Sequence, residues 1–180
     1  MRRVGAILGI ALTLTLLGCN KPAQTGAAQP ADTQPITSPS ESRLDSSLAV
    51  IFPESRALEL VRQCGRPPPL GIESVWTPAL IQSAFLEARL SKLIAEKLAI
   101  SVGGRGGLVP RDYYRQYAGL IIDGRRVIYV NGFHKSIADT YPSDWRQSPV
   151  IACDGGKMFF GVEYDVQSEA FVSFTFNGLG

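Results

Sequence analysis

His134 is the only histidine in the chain. A Cys–His or Ser–His–Asp nucleophilic centre needs a histidine base, so any such site must be built on this residue. It follows an apolar stretch, Val127–Phe133, and Cys153 is the thiol it would activate. The plainer reading is preferred: an exposed loop histidine and a structural half-cystine, with no enzymatic activity expected. Asp154, Glu163 and Asp165 bring oxygen ligands close together around one turn. Their order has no calcium-loop spacing, and Asp154-Gly155-Gly156 is already turn chemistry, so no metal is expected. Nothing marks Glu163 and Asp165 as a glycosidase carboxylate pair. The loop Gly103–Gly107 lacks the Gly-Lys-Ser/Thr ending of a phosphate loop, and no cofactor is expected. The most suggestive feature is a band of Tyr113, Tyr114, Tyr117, Tyr129, Phe133, Tyr141 and Trp145 beside Arg111, Arg115 and Arg146. Aromatics with arginine are the composition of protein interfaces and sugar-binding surfaces. Tyr114, Tyr117, Tyr129, Phe133 and Trp145 therefore form the candidate binding surface, set against the bland reading that half of the band is core.

The elements that must carry these residues divide into a helical half and a β-rich half. Phe52-Pro53-Glu54 suits a helix start, with Ala57, Leu60, Val61 and Cys64 on one face and Gly65 as the C′ residue. Arg66-Pro67-Pro68-Pro69 must run extended. Trp76-Thr77-Pro78 reads as N′, N-cap and N1, with Trp76 stapled on Ile81, and predicts a second helix from Pro78 to about Ala99. Its core stripe is expected at Ile81, Phe85, Ala88 and Ala95, widened by Leu86, Leu90, Leu93 and Leu98. In the second half, Asp123-Gly124 between apolar runs predicts a type I′ hairpin joining Tyr117–Ile122 to Val127–Val130. A second hairpin is expected from Val150–Cys153 to Lys157–Tyr164, and Ala170–Phe176 makes the last strand. The expected fold is α+β, with one or two N-terminal helices packed on a four-stranded antiparallel sheet. In outline that order of elements resembles the cystatin-like arrangement.

Upstream of the domain, Met1-Arg2-Arg3 and the apolar run Val4–Leu17 have the form of a secretory signal, too short to span a membrane comfortably. The run ends in Leu16-Leu17-Gly18-Cys19, which resembles the lipobox of bacterial lipoproteins. That resemblance implies removal of residues 1–18 and a lipid on Cys19, and Asn20 after it favours the outer membrane. Residues 19–47 then hold the lipidated cysteine and a disordered tether rich in Pro, Ala, Gln, Thr and Ser, and residues 48–180 are a single domain. With Cys19 acylated, Cys64 and Cys153 are left, and in an oxidising compartment such a pair is expected to form a disulfide. Arg2 and Arg3 leave with the leader, so 18 basic residues become 16 against 16 acidic ones. A neutral chain gives no electrostatic footprint for nucleic acid.

The run Cys153-Asp154-Gly155-Gly156, Gly161-Val162-Glu163-Tyr164-Asp165 and Phe176-Asn177-Gly178 is similar to a C-terminal pattern of small proteobacterial envelope proteins. Trp76-Thr77-Pro78 and Tyr129-Val130-Asn131-Gly132-Phe133 fit it too. The resemblance implies no activity. The expected function is a lipid-anchored periplasmic binding module, facing the periplasm from the outer membrane, with an envelope protein or a glycan as partner. An inhibitor or immunity protein against a lysozyme, protease or toxin is the alternative, and an enzyme using His134 the third.

Overall fold

The computed structural model describes residues 44–101, 107–140 and 144–180. Cys19 with its leader, the tether up to residue 43, Gly103–Gly106 and Tyr141 lie outside the described residues. In chain order the elements are strand β1 (Ala49–Ile51), helix α1 (Glu54–Leu60), strand β2 (Ile72–Trp76), helix α2 (Leu80–Ser101), strands β3 (Tyr113–Ile122) and β4 (Arg125–His134), the short helix α3 (Lys135–Ala138), and strands β5 (Phe159–Asp165) and β6 (Ala170–Phe176). The fold is α+β, as expected, but its sheet has six strands and is mixed. Strands β3 to β6 run antiparallel in sequence order. β1 lies parallel to one end of β3 at Arg115–Tyr117, and β2 lies antiparallel to the other end at Gly119–Ile122.

Local chemistry accounts for the best-defined part. Asp123 and Gly124 take positive φ, 49° and 71°, which lets a two-residue turn follow the twist of its strands. The hairpin they close extends to ten residues on each side, pairing Tyr113 with His134 at its far end. Its two faces bury different partners because side chains alternate along a strand. Tyr113, Tyr117, Ile128 and Val130 meet Leu86, Leu90, Ile94 and Leu98 of α2 and Phe160, Val162 and Tyr164 of β5. Ala118, Leu120, Ile122, Val127 and Tyr129 on the other face meet Ala57, Leu60 and Val61 of α1. Phe133 packs there with Trp145, Val150 and Phe159. Helices therefore cover both faces of the sheet, which departs from the expected four-stranded, one-sided outline.

Four further expectations are corrected. Trp76 is the last residue of β2 and not an N′ staple. Its indole N–H donates to the Leu120 carbonyl at 3.0 Å, while Ile81 is 52% exposed. α1 stops at Leu60 with Val61 as its C-cap, so Gly65 is no C′ residue. The core stripe of α2 lies half a turn away from Ile81, Phe85, Ala88 and Ala95: the sheet takes Leu86, Leu90, Ile94 and Leu98, and Phe85 is 61% exposed. Val150–Cys153 is not a strand, and β5 pairs with β4 instead.

The reason for that last difference is a polar network. The segment 150–152 crosses the α1 side of the sheet, where no strand edge can serve its backbone, and amide side chains serve it instead. Val150 N–H donates to Gln116 Oε1 at 2.9 Å, and its carbonyl accepts from Asn131 Nδ2 at 2.8 Å and Gln63 Nε2 at 3.1 Å. The Ala152 carbonyl accepts from Gly65 N at 2.9 Å and Asn177 Nδ2 at 3.2 Å. Asn131 also donates to Gln116 Oε1 at 2.9 Å, and Gln116 Nε2 donates to the Trp145 and Ser148 carbonyls. The network ends on Arg66, only 5% exposed. Its guanidinium donates to the Tyr129 hydroxyl, Asn131 Oδ1 and Asn177 Oδ1, and no carboxylate is among these acceptors. Gly161 makes room for it, since a Cβ there would stand 2.4 Å from Arg66 Nε. Beside this network Cys64 and Cys153 form a disulfide with Cα atoms 4.4 Å apart.

Two outcomes follow for stability. Arg66→Met leaves three buried acceptors without their donor and is expected to cost about 3 kcal/mol or more in urea denaturation. Both cysteines are exposed, so reductant reaches the bridge. Because it closes a separation of 89 residues, its reduction is expected to lower stability by on the order of 4 kcal/mol, read as the shift of the urea midpoint with and without dithiothreitol.

Candidate functional site

The aromatic band expected as a binding surface is divided by the sheet. Tyr117 points into the α2 side, while Tyr129 and Phe133 point into the opposite core. All three are at most 3% exposed, so they are core residues and form no open surface. This happens because strand alternation sends neighbours in sequence to opposite faces. Tyr114 and Trp145 do come together, with ring centroids 4.5 Å apart and planes at 16°. Trp145 is only 5% exposed, and the Arg146 guanidinium lies 4.2 Å from its ring centroid. The Lys135 ammonium lies 5.8 Å from the Tyr114 ring. A sugar platform needs an uncovered ring face, and Trp145 has none to offer.

The candidate chemistry at His134 and Cys153 is likewise occupied. Cys153 is a half-cystine and no thiol. His134 is the N-cap of α3, its Nδ1 accepting from Ser136 N–H at 3.2 Å and lying 2.8 Å from Ser136 Oγ. Asp165 caps the β5–β6 turn: it accepts from Gln167 and Ser168 backbone N–H groups and from Arg125 at 2.9 Å. The Ser168 N–H, followed by the Gln167 N–H and Arg125, holds its carboxyl below the usual range. Burial pushes the neighbouring Glu163 carboxyl up, against a hydrogen bond with Ser173. Among the described residues no three His, Cys, Asp or Glu side chains converge as metal ligands.

Two arrangements were not anticipated from sequence. The first is a cleft of about 560 Å³ lined by Leu48, Glu87, Ser91, Pro110, Arg111 and Arg115. Arg115 is 2% exposed at its side chain, with Nε 3.0 Å from Glu87 Oε1. Its Nη groups donate to the Tyr113 and Pro110 carbonyls, and the Tyr117 hydroxyl donates to the other Glu87 oxygen. The two charges at the cleft floor thus neutralise one another. Arg111 and Arg115 were legible as neighbours of the aromatic band, but not their meeting with Glu87, because helix and strand bring Arg115 and Glu87 together from 28 residues apart in sequence (115 minus 87).

The second lies on the outer side of α2. Ile81, Phe85, Ala88, Lys92, Ala95 and Ala99 follow one another at spacings of 4, 3, 4, 3 and 4, and every one of them is exposed. That is the seam of a coiled coil, apolar at each position except Lys92. A surface helix ordinarily carries charge opposite its core stripe; α2 carries a second apolar stripe there. The stripe itself was read from the sequence, but as the core face. The residues of the C-terminal pattern find a structural explanation: Tyr129, Asn131, Gly161 and Asn177 meet around Arg66, and Cys153 ties the same place down.

The buried phenols give a pH test. Burial, with Asp112 nearby, pushes Tyr113 up to about 12, and burial also raises Tyr117 and Tyr129. In the unfolded chain a phenol titrates near 10, so folding retains protons that unfolding releases. Stability is expected to be complete below about pH 10 and to fall as pH rises toward 12. Urea midpoints across that window, with absorbance at 295 nm reporting late-ionising tyrosines, check it; Tyr113→Phe should flatten the decline. No protein-family model, no curated protein and no solved structure matches the chain.

Proposed function

We propose that this protein is a lipid-anchored module of the cell envelope that docks an amphipathic helix of another envelope protein on the outer seam of α2. The observation that carries the reading is the run of exposed positions Ile81, Phe85, Ala88, Lys92, Ala95 and Ala99. Ile81 and Phe85 supply large knobs, and the three alanines let a second helix approach closely. Charge narrows the occupant. Lys92 interrupts the seam with its ammonium 4.0 Å from Glu96, and Arg89 beside it is engaged by Glu169. The partner in this reading is a helix of another chain, its docking stripe apolar with a carboxylate opposite Lys92.

The lipobox and the tether support the placing of the domain. A lipid on Cys19 would hold it at the membrane, and Asn20 favours the outer one. No helix among the described residues is long and apolar enough to cross a membrane. The covered rings of Tyr114 and Trp145 weigh against a glycan partner.

A photo-crosslinking residue at Phe85 of the full chain, in cells, is expected to capture an envelope protein. The same probe at the exposed Arg62, beyond the end of α1, should not. Ile81→Asp with Phe85→Asp should abolish capture while changing stability by no more than about 0.5 kcal/mol, both side chains being largely exposed. Lys92→Glu should weaken it by about tenfold. Crosslinks that map to an extended segment of the partner, or that survive the double substitution, would overturn the reading.

A further inference from the structure

Cys64 and Cys153 are both exposed, although the residues that flank them belong to the polar network. Gln63 and Gly65, on either side of Cys64, bond directly to the segment that carries Cys153. Gln63 Nε2 donates to the Val150 carbonyl at 3.1 Å, and Ala152 N–H donates to Gln63 Oε1 at 3.4 Å. Gly65 N–H donates to the Ala152 carbonyl at 2.9 Å. The C-terminal residues also join the two segments. Gly178 N–H donates to the Gly65 carbonyl at 2.8 Å, and Asn177 Nδ2 donates to the Ala152 and Asp154 carbonyls at 3.2 and 3.0 Å. None of these bonds involves sulfur. The two Cα atoms, 4.4 Å apart, are therefore kept together by hydrogen bonds as well as by the covalent tie. A bridge that alone held a loop in place would let its thiols drift apart on reduction; this one would not.

We propose that Cys64 and Cys153 are a redox couple on the folded domain, a dithiol oxidised at the surface by exchange with a disulfide-carrying oxidoreductase. Groups already held side by side react more favourably than groups that must first meet, because the entropy of approach is already lost. Folding and bridge formation are linked, so the fold should favour the bridge by about a thousandfold over the unfolded chain. The two thiols are not equivalent. Cys64 lies between Arg62 and Arg66, two residues from each, and neither arginine is ion-paired among the described residues. Cationic neighbours stabilise a thiolate. Cys153 is followed by Asp154, whose charge disfavours one. Cys64 is thus the thiolate that attacks. Its Sγ bonds to one sulfur of the oxidoreductase, whose S–S bond breaks and whose second sulfur leaves as a thiolate. Cys153 then loses its proton and attacks Cys64 Sγ, the mixed disulfide breaks, and the native bridge forms. Two electrons pass from the Cys64–Cys153 pair to the oxidoreductase, which ends as a dithiol carrying the two protons the pair gave up. This site goes beyond the docking of a helix on α2 and shares no residue with it.

The test uses full-length chain, reduced with dithiothreitol and then freed of it without air. Hydrogen exchange at the Gly65 and Gly178 amides is expected to remain about a hundredfold or more slower than in the unfolded chain. Equilibrated in glutathione buffers, the bridge should form about a thousandfold more favourably in the folded chain than in concentrated urea. Alkylation by iodoacetamide, followed against pH by peptide mapping, should reach half its maximal rate at a lower pH for Cys64 than for Cys153. Mapping also separates both thiols from Cys19. Reduced chain that loses its amide protection, a bridge no more favourable in the folded chain than in urea, or a Cys64 midpoint not below that of Cys153 would each overturn the proposal. Ile81→Asp with Phe85→Asp should change none of these readings, so failure here and failure of the α2 reading are separately visible.

Discussion

Backbone that crosses the face of a sheet cannot draw on the sheet for hydrogen bonds, because the strands' own groups are paired within it. The segment from Ser148 to Asp154 is in that position, and the amides of Gln63, Gln116, Asn131 and Asn177 supply what no strand can. Each amide donates and accepts at once, so the chain of contacts runs unbroken from α1 to the C-terminal residues. Arg66 completes it as a buried cation held by three neutral acceptors. A charge away from water is tolerated only when its donors are engaged. The loops on that side, the disulfide and the end of the chain are all placed by this requirement.

The other side of the sheet is organised differently. There α2 buries Leu86, Leu90, Ile94 and Leu98 against the aromatic and β-branched residues of β3 to β5. The Glu87–Arg115–Tyr117 cluster sits at its margin. One core is thus apolar and carried by a helix, the other a mixture of two small apolar clusters separated by hydrogen-bonded polar residues. Large apolar side chains stay exposed where neither requirement applies, on the outer side of α2 at Ile81 and Phe85. The rings of Tyr117, Tyr129, Phe133 and Trp145 are used internally, packed within the cores on the two faces of the sheet.

Much of the fold was legible from local pattern. The Asp123-Gly124 turn, the alternation of Phe160, Val162 and Tyr164, the start of α1 and the pairing of Cys64 with Cys153 all rest on short-range chemistry or on counting. What the sequence could not decide was which partner each pattern would find. α2 has two apolar stripes of similar quality, and periodicity alone cannot say which one meets the sheet. β1 is three residues long, and β2 is strand only because β3 offers an edge to it. Val150–Cys153 reads as a strand, yet its backbone is satisfied by side chains brought from 19 and 34 positions away and more. Local chemistry was enough for the two main helices, the central hairpin, β5, β6 and the covalent tie. The tertiary structure alone decided which faces are buried, because burial depends on neighbours that are distant in the chain.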